Sequence, residues 1–336
     1  MKATVVGGGP VGLTYCALLK QAGHDVRLWS QSRSGSGVEH FTGEIEGDHR
    51  IEQVAGAEEA AAFAEVLVMA RCAQGNRAAL DALVPHLRPE QVVIFSAELS
   101  YASVYLRGAI AAQGRSVRTV SWSTTVPTAQ RNDGGIRVGT LRDTVDMASA
   151  GFEDAEEATA LCVTLFGPRF RYVGDVLRIG LSNLNPQIHL ANAIANLTRI
   201  ERGESWENYE CITPAVGRLI EDLDTERLAL AQSYGFEVRS VHDHYLMTFP
   251  GLTPGTVSEM AGQVFRRAPG TLGPRSLDTR YIWEDVPFGL VPLCALARAK
   301  GAPMELHEAG IRLLAGYLGA DFRAKNDMLS EVLEAL

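Results

Sequence analysis

Cysteine is scarce in this chain, and what there is lies scattered. Cys16, Cys72, Cys162, Cys211 and Cys294 form no CxxC pair, which excludes a disulfide framework or a zinc knuckle and fits a reducing compartment. An excess of positive charge is also missing. The net charge of −9 leaves no general basic surface to displace counterions from nucleic-acid phosphates, so any anion must be met by local groups. No stretch approaches the roughly 18 uninterrupted apolar residues of a membrane span. After Met1 and Lys2 the chain runs straight into a strand pattern, without the regions of a signal or transit peptide. These absences lead to the expectation of a cytoplasmic protein that binds neither nucleic acid nor membrane.

What is present is ordinary in amount and informative in order. Hydrophobic residues make up 46% and charged residues 21% of 336 positions, which predicts a globular protein of two domains. The first half alternates short apolar runs with amphipathic stretches. Strands are predicted at 3–7, 25–30, 66–70, 92–97 and 117–122, and helices at 10–22, 57–64, 75–86 and 100–113. That alternation implies a parallel sheet covered on both faces. Residues 134–148 look like extra strands, 154–167 like a helix, and 170–175 like the last strand. Beyond this the texture changes: 185–203, 215–235 and 303–319 carry apolar residues at helical spacing. The fold class expected is an N-terminal Rossmann-type doubly wound sheet over 1–175, followed by an all-α domain over 176–336.

Gly7-Gly8-Gly9-Pro10-Val11-Gly12 fits GxGxxG, and it sits after a strand and at the opening of a helix, as the motif requires. Gly7 permits the tight turn, Gly9 lets a pyrophosphate approach the backbone, and Gly12 lets helix and sheet pack. The helix start, with Pro10 and Val11, then offers unpaired N–H groups to phosphates. A carboxylate about 20 residues on would hold the ribose hydroxyls of NAD. Here the second strand ends in Ser30, Gln31, Ser32 and Arg33. Ser30 does not repel a 2′-phosphate, Ser32 offers a hydroxyl and Arg33 a guanidinium suited to phosphate. NADP(H) is therefore expected over NAD(H), with Arg71 and Cys72 lining the adenosine or pyrophosphate side by their place past a strand end.

Two stretches stand out in the second half. "SNLNPQIHLAN", 182–192, puts Asn183, Asn185, Pro186 and His189 at a helix mouth, with Pro186 suited to the first turn and Asn185 to the cap. His189 then lies one turn inside. By itself it reads more as a packed or surface histidine than as an acid–base group. "LDTRYIWEDVPFGLVPLCALARAKG", 277–301, places Asp278, Arg280, Tyr281, Glu284 and Asp285 just before a buried helix interrupted by prolines.

"NPQIH" and "RYIWEDVPFGLVP", together with the glycine fingerprint and the domain order, resemble the octopine/nopaline (opine) dehydrogenase family. The resemblance covers the whole chain, which departs from the family's pattern at Leu190, where many members have proline, and in being shorter than most. It implies NAD(H) or NADP(H) binding and reduction of an imine, joined from an amine and a 2-oxo acid, to a secondary amine. It also implies that His189 and Asp285 are the family's catalytic pair. In that setting His189 gives and takes the proton, Asp285 fixes its tautomer, Asn185 bonds nicotinamide or substrate, and Arg280, assisted by Tyr281, meets a substrate carboxylate. A homodimer through the helical half goes with the same resemblance.

Other readings are a carbonyl reductase of ketopantoate type, which wants a lysine that "NLNPQIHLANAIAN" lacks, and a catalytically silent NADP-binding protein. "VHDHY", 241–245, is expected in a loop and not at a metal, with Tyr245 and Phe249 as pocket walls or core. Thr125, past a strand end, is expected to approach the nicotinamide ribose.

Overall fold

A computed structural model describes residues 1–31 and 35–336. The chain divides into two compact units, Met1–Gly180 with Ser330–Leu336, and Leu181–Leu329.

Among the described residues the first unit holds eleven strands: β1 (Lys2–Val6), β2 (Asp25–Trp29), β3 (Gly37–Gly43), β4 (Gly47–Ile51), β5 (Val66–Met69), β6 (Val92–Phe95), β7 (Arg118–Trp122), β8 (Pro127–Asn132), β9 (Gly135–Leu141), β10 (Val145–Ala150) and β11 (Phe170–Gly174). Seven form one sheet in the order β11-β10-β7-β6-β5-β1-β2. β2, β1, β5, β6 and β7 run parallel, while β10 runs antiparallel to β7. The reason is legible in "VLVM" and "VVIF": every residue of β5 and β6 is buried, as strands covered on both faces must be. The chain goes from β1 outward to β2, then crosses to β5 on the other flank. The switch point therefore lies between β1 and β5, the place where open α/β sheets bind ligands. Tyr15, Trp122 and Phe166 meet edge to face or tilted, at 5.3–6.1 Å between centroids, and join the helices Pro10–Gln21 and Ala155–Phe166 to β7.

A second, four-stranded sheet, β4-β3-β9-β8, departs from the sequence expectation, which had no strands at 37–43, 47–51 or 127–132. β3 and β4 are half polar and glycine-bounded. Phe41 and Ile51 are their fully buried apolar side chains, so periodicity gives little signal. The hydroxyl of Thr125, expected to approach the nicotinamide ribose, donates to Pro127 O at 2.7 Å and accepts from Arg142 at 3.0 Å. The chain's last residues return to the first unit, where Arg77 donates to Glu331 at 2.7 Å.

The second unit is helical. Its longest helix, Pro214–Ser233, carries Arg227, which is fully buried yet has each of its three guanidinium nitrogens hydrogen-bonded. Arg227 donates to Asp224 at 2.6 and 2.9 Å and to the carbonyls of Leu181 and Arg239 at 2.5 Å, while Asp224 accepts from Val241 N. A buried guanidinium is tolerable when every side of it is answered in this way. The stretch 241–245, expected as a loop, lies instead in the helix Val241–Thr248, whose start is capped by Ser240 accepting from Asp243 N. The capping serine outweighs the polar look of "VHDHY". Among the described residues no cluster of potential ligands could hold a metal ion, and no helix is long and apolar enough to cross a membrane.

Candidate active site

The glycine turn follows β1. Gly7 has φ +128°, and a Cβ there would collide with Ala70 O at the end of β5; a Cβ on Gly12 would collide with Gly7 O. Both glycines are thus required by the fold itself. Gly9 differs, because a Cβ added to it meets nothing within 4 Å. It is the residue before the helix Pro10–Gln21, whose first turn has no side-chain cap and no acidic residue. Its N–H groups therefore remain available to an anion, and the open space over Gly9 is the cradle such an anion needs.

The switch point adds a cation. Arg71 follows β5 and donates from Nη2 to Gln31 Oε1, at the end of β2, at 3.4 Å. Its buried Nε has no partner, and burial holds its pKa below the ordinary arginine value. Ser30 is buried, and its carbonyl accepts from Gln53. Cys72 is exposed beside Arg71. Ser32 and Arg33 lie outside the described residues. The residues present fit a phosphate-bearing dinucleotide: an uncapped helix start, an open glycine and a half-buried guanidinium whose buried Nε has no partner among the described residues.

In the helical unit His189 sits on the helix Asn185–Ala195. Asn183, rather than Asn185, supplies the capping oxygen, accepting from Asn185 N at 3.1 Å, while Pro186 takes the first turn as expected. Asn185 is exposed at the helix mouth. The Nδ1 of His189 donates to Asp285 Oδ2 at 2.7 Å. The Asp285 side chain is 2% exposed and that of His189 14%. No hydrogen-bond partner of Nε2 exists among the described residues.

Asp285 owes its place to unusual winding. "DVPFGL", Asp285–Leu290, is a π-helical stretch between the short helix Arg280–Trp283 and the helix Val291–Lys300. It leaves one carbonyl to be answered from elsewhere. In this wide turn Val291 N bonds Val286 O, and the N–H that would answer Pro287 O belongs to Pro292, which has none. The buried amide of Asn326 donates to Pro287 O instead, at 2.9 Å. Wide turns of this kind concentrate at functional sites.

Arg280 lies 3.6 Å from Glu284 and 4.0 Å from Asp285, with its side chain 60% exposed. The ion pair with Glu284 is thus real, and the guanidinium still faces water. Tyr281 lies flat on His189, with 3.6 Å between centroids and 10° between planes. Its hydroxyl donates to Asn208 Oδ1 at 3.3 Å, and burial, with Asp285 nearby, pushes its pKa up to about 12. Tyr245 and Phe249 form an aromatic cluster with Tyr209, and Tyr245 is buried there as core.

Sequence reasoning missed three polar groups. Asn192 donates to Asn208 at 3.0 Å; it lies three residues past His189 on one helix, a spacing that could have drawn notice. Asn208 carries no local signal. Glu98, just past β6, is a buried carboxyl that accepts from Ser121 Oγ at 2.6 Å and from Ser103 N at 3.3 Å. Burial pushes its pKa up to about 7. Ala97, Ser100 and Tyr101 beside it have φ of 55–61°, a strain that marks functional loops more often than idle ones.

Residues 172–318 match the sequence model of the NAD/NADP octopine/nopaline dehydrogenase α-helical domain, and residues 3–97 match that of ketopantoate reductase PanE/ApbA. An opine dehydrogenase of Arthrobacter sp. (strain 1C) is 37% identical over 167 residues, 49% of this chain and 46% of that protein. The match therefore spans about half the length of that relative. An octopine dehydrogenase solved with NADH and L-arginine superposes with a TM-score of 0.78 at 15% identity, covering 95% of this chain and 90% of the other. A yersinopine dehydrogenase with NADP+ bound gives 0.69 at 14%, covering 100% and 99%. At such identities these two likenesses show the fold.

Proposed function

We propose that the chain, whose residues 172–318 match the octopine/nopaline dehydrogenase α-helical domain, is an NADPH-dependent oxidoreductase of opine dehydrogenase type. Its reaction is reduction of an imine, formed from an amine or amino acid and a 2-oxo acid or supplied preformed, to a secondary amine. The observation that carries this reading is the His189–Asp285 pair, with Nδ1 held at 2.7 Å by a buried carboxylate.

The roles follow from that geometry. Asp285 fixes the proton on Nδ1 and supports the charge when Nε2 gains one. Nε2 then gives its proton to the hydroxyl of the carbinolamine, which leaves as water, and takes one back in the oxidative direction. When bound, the nicotinamide supplies the hydride that the imine carbon accepts. Arg280 takes a substrate carboxylate with the N–H groups of its largely exposed side chain, and Asn185 bonds substrate or the nicotinamide amide. Gly9, the start of the helix Pro10–Gln21 and Arg71 hold the cofactor's phosphates. Ser30, where a carboxylate would select NAD, together with Ser32, Arg33 and Arg71, supports the preference for NADP(H). The same reading makes the protein a cytoplasmic homodimer joined through its helical half, which light scattering checks.

The test is NADPH oxidation across amino acids and 2-oxo acids, scored by the mass of the product. A secondary amine is the expected result. An alcohol would point to carbonyl reduction of the ketopantoate type, which the match over residues 3–97 keeps in view, and binding without turnover to a silent protein. Because reduction consumes a proton, the reductive direction favours lower pH than amine oxidation; coincident optima speak against the scheme.

A further inference from the structure

Tyr281 and Asp285 stand four residues apart on one stretch of chain, and both reach the same imidazole. Asp285 holds its edge at 2.7 Å, and Tyr281 covers its face at 3.6 Å with 10° between planes. The stack is unlike the molecule's other aromatic pairs, which lie at 32–88° to one another. Two neutral rings avoid lying flat on each other, because their quadrupoles repel. A ring that carries positive charge reverses that preference, since a cation is drawn to the face of a phenol.

The phenol is itself pinned. Its hydroxyl donates to Asn208 Oδ1, which also accepts from Asn192 Nδ2 at 3.0 Å. Asn192 belongs to the helix that carries His189. The contacts thus close a circuit: from His189 along its helix to Asn192, across to Asn208, to the phenol, and back to the imidazole. Asn192 and Asn208 are both buried. Among the charged groups, Asp285 lies at Nδ1, with Arg280 and Glu284 beyond it. His307 reaches the same helix at Gln187 and is paired with Glu226.

We propose that Tyr281 is a positioning residue for His189, held by Asn208 and Asn192 so that its ring fixes the imidazole plane and faces the charge this plane carries during proton transfer. This rests on the acid–base role given to His189 above. It also removes Tyr281 from the substrate-carboxylate role expected from the sequence, because its hydroxyl is already committed to Asn208.

The experiment compares Tyr281→Phe, which keeps the ring face, with Tyr281→Leu, which keeps bulk but not the face; Tyr281→Met stands in should the leucine variant not fold. Expected are a kcat loss of about twofold to fivefold for phenylalanine and about tenfold to a hundredfold for leucine or methionine, with KM changed less than about threefold. NMR relaxation of the His189 ring carbons gives a second reading that needs no turnover. One fixed ring is expected in the wild-type and phenylalanine proteins, and exchange between orientations in the aliphatic variant. An aliphatic variant whose ring stays fixed, or whose KM rises while kcat holds, overturns the proposal. Absence of turnover in the wild-type protein overturns the functional reading instead, and the ring measurement still decides this one.

Discussion

His189 and Asp285 are separated by 96 positions in the chain, yet Nδ1 and Oδ2 stand 2.7 Å apart with the carboxylate almost wholly buried. On the function proposed above, this carboxylate fixes the tautomer of the imidazole that exchanges the proton.

His189→Ala is therefore expected to lower kcat by about two orders of magnitude or more while leaving the NADPH dissociation constant within about threefold. Asp285→Asn gives a smaller loss of the same kind, because the amide still occupies the space but favours the wrong tautomer. Stopped-flow turnover with a separate fluorescence titration of NADPH checks both. Unchanged turnover in His189→Ala would remove the pair from the mechanism.

The glycines divide by what a methyl group would strike. Gly9→Ala meets no protein atom, so its melting temperature should match the wild type within about 2 °C while NADPH affinity falls about tenfold or more. Gly12→Ala drives Cβ into Gly7 O and should unfold the first unit several degrees earlier. Calorimetry and a binding titration on the two variants make the comparison; an unaltered affinity in Gly9→Ala would leave the open cradle without a ligand.

Arg71 touches Gln31, and its buried Nε has no partner among the described residues. Arg71→Ala is expected to weaken NADPH more than NADH, by a ratio of about ten. Equal weakening of the two would place the guanidinium on the pyrophosphate.

Glu98 makes stability depend on pH. Its folded pKa of about 7 lies above the ordinary carboxyl value because of burial, so the folded state holds a proton that the unfolded state releases first. Its favourable contribution is complete below about pH 4.5 and is lost as the pH rises to about 7, a cost on the order of 3 kcal/mol above that range. Glu98→Gln avoids the charge. Its melting temperature should equal the wild type near pH 4.5 and exceed it by several degrees at about pH 8; a constant difference across that range would show that Glu98 does not titrate there.

The nucleotide half was legible because its signals are local. Short apolar, β-branched runs at 66–70 and 92–95 fit strands covered on both faces, and the glycine turn announces its own geometry. In the helical half the histidine helix and the Asp285 segment were visible as motifs. Neither periodicity nor spacing could pair them, since burial and a contact across 96 residues are properties of packing. Asn208 shows the limit most clearly: its role depends on Tyr281 and Asn192 converging on one oxygen, and nothing in "ENYE" signals this. The loop expected at 241–245 failed for a simpler reason. A single serine cap turned a polar stretch into a helix.

The wide turn at Asp285–Leu290 has one more consequence. Each residue on an α-helix turns about 100° around the axis, and a wide turn spreads one extra residue over nearly the same total angle. Removing one residue from 286–290 would therefore restore ordinary winding and leave Asp285 facing almost the same way. What the deletion would undo is the freedom of Pro287 O, which the wide turn takes out of the backbone ladder and leaves to the amide of Asn326. The extra residue thus ties this segment to Asn326, and its loss should cost that bond while sparing the aim of the carboxylate.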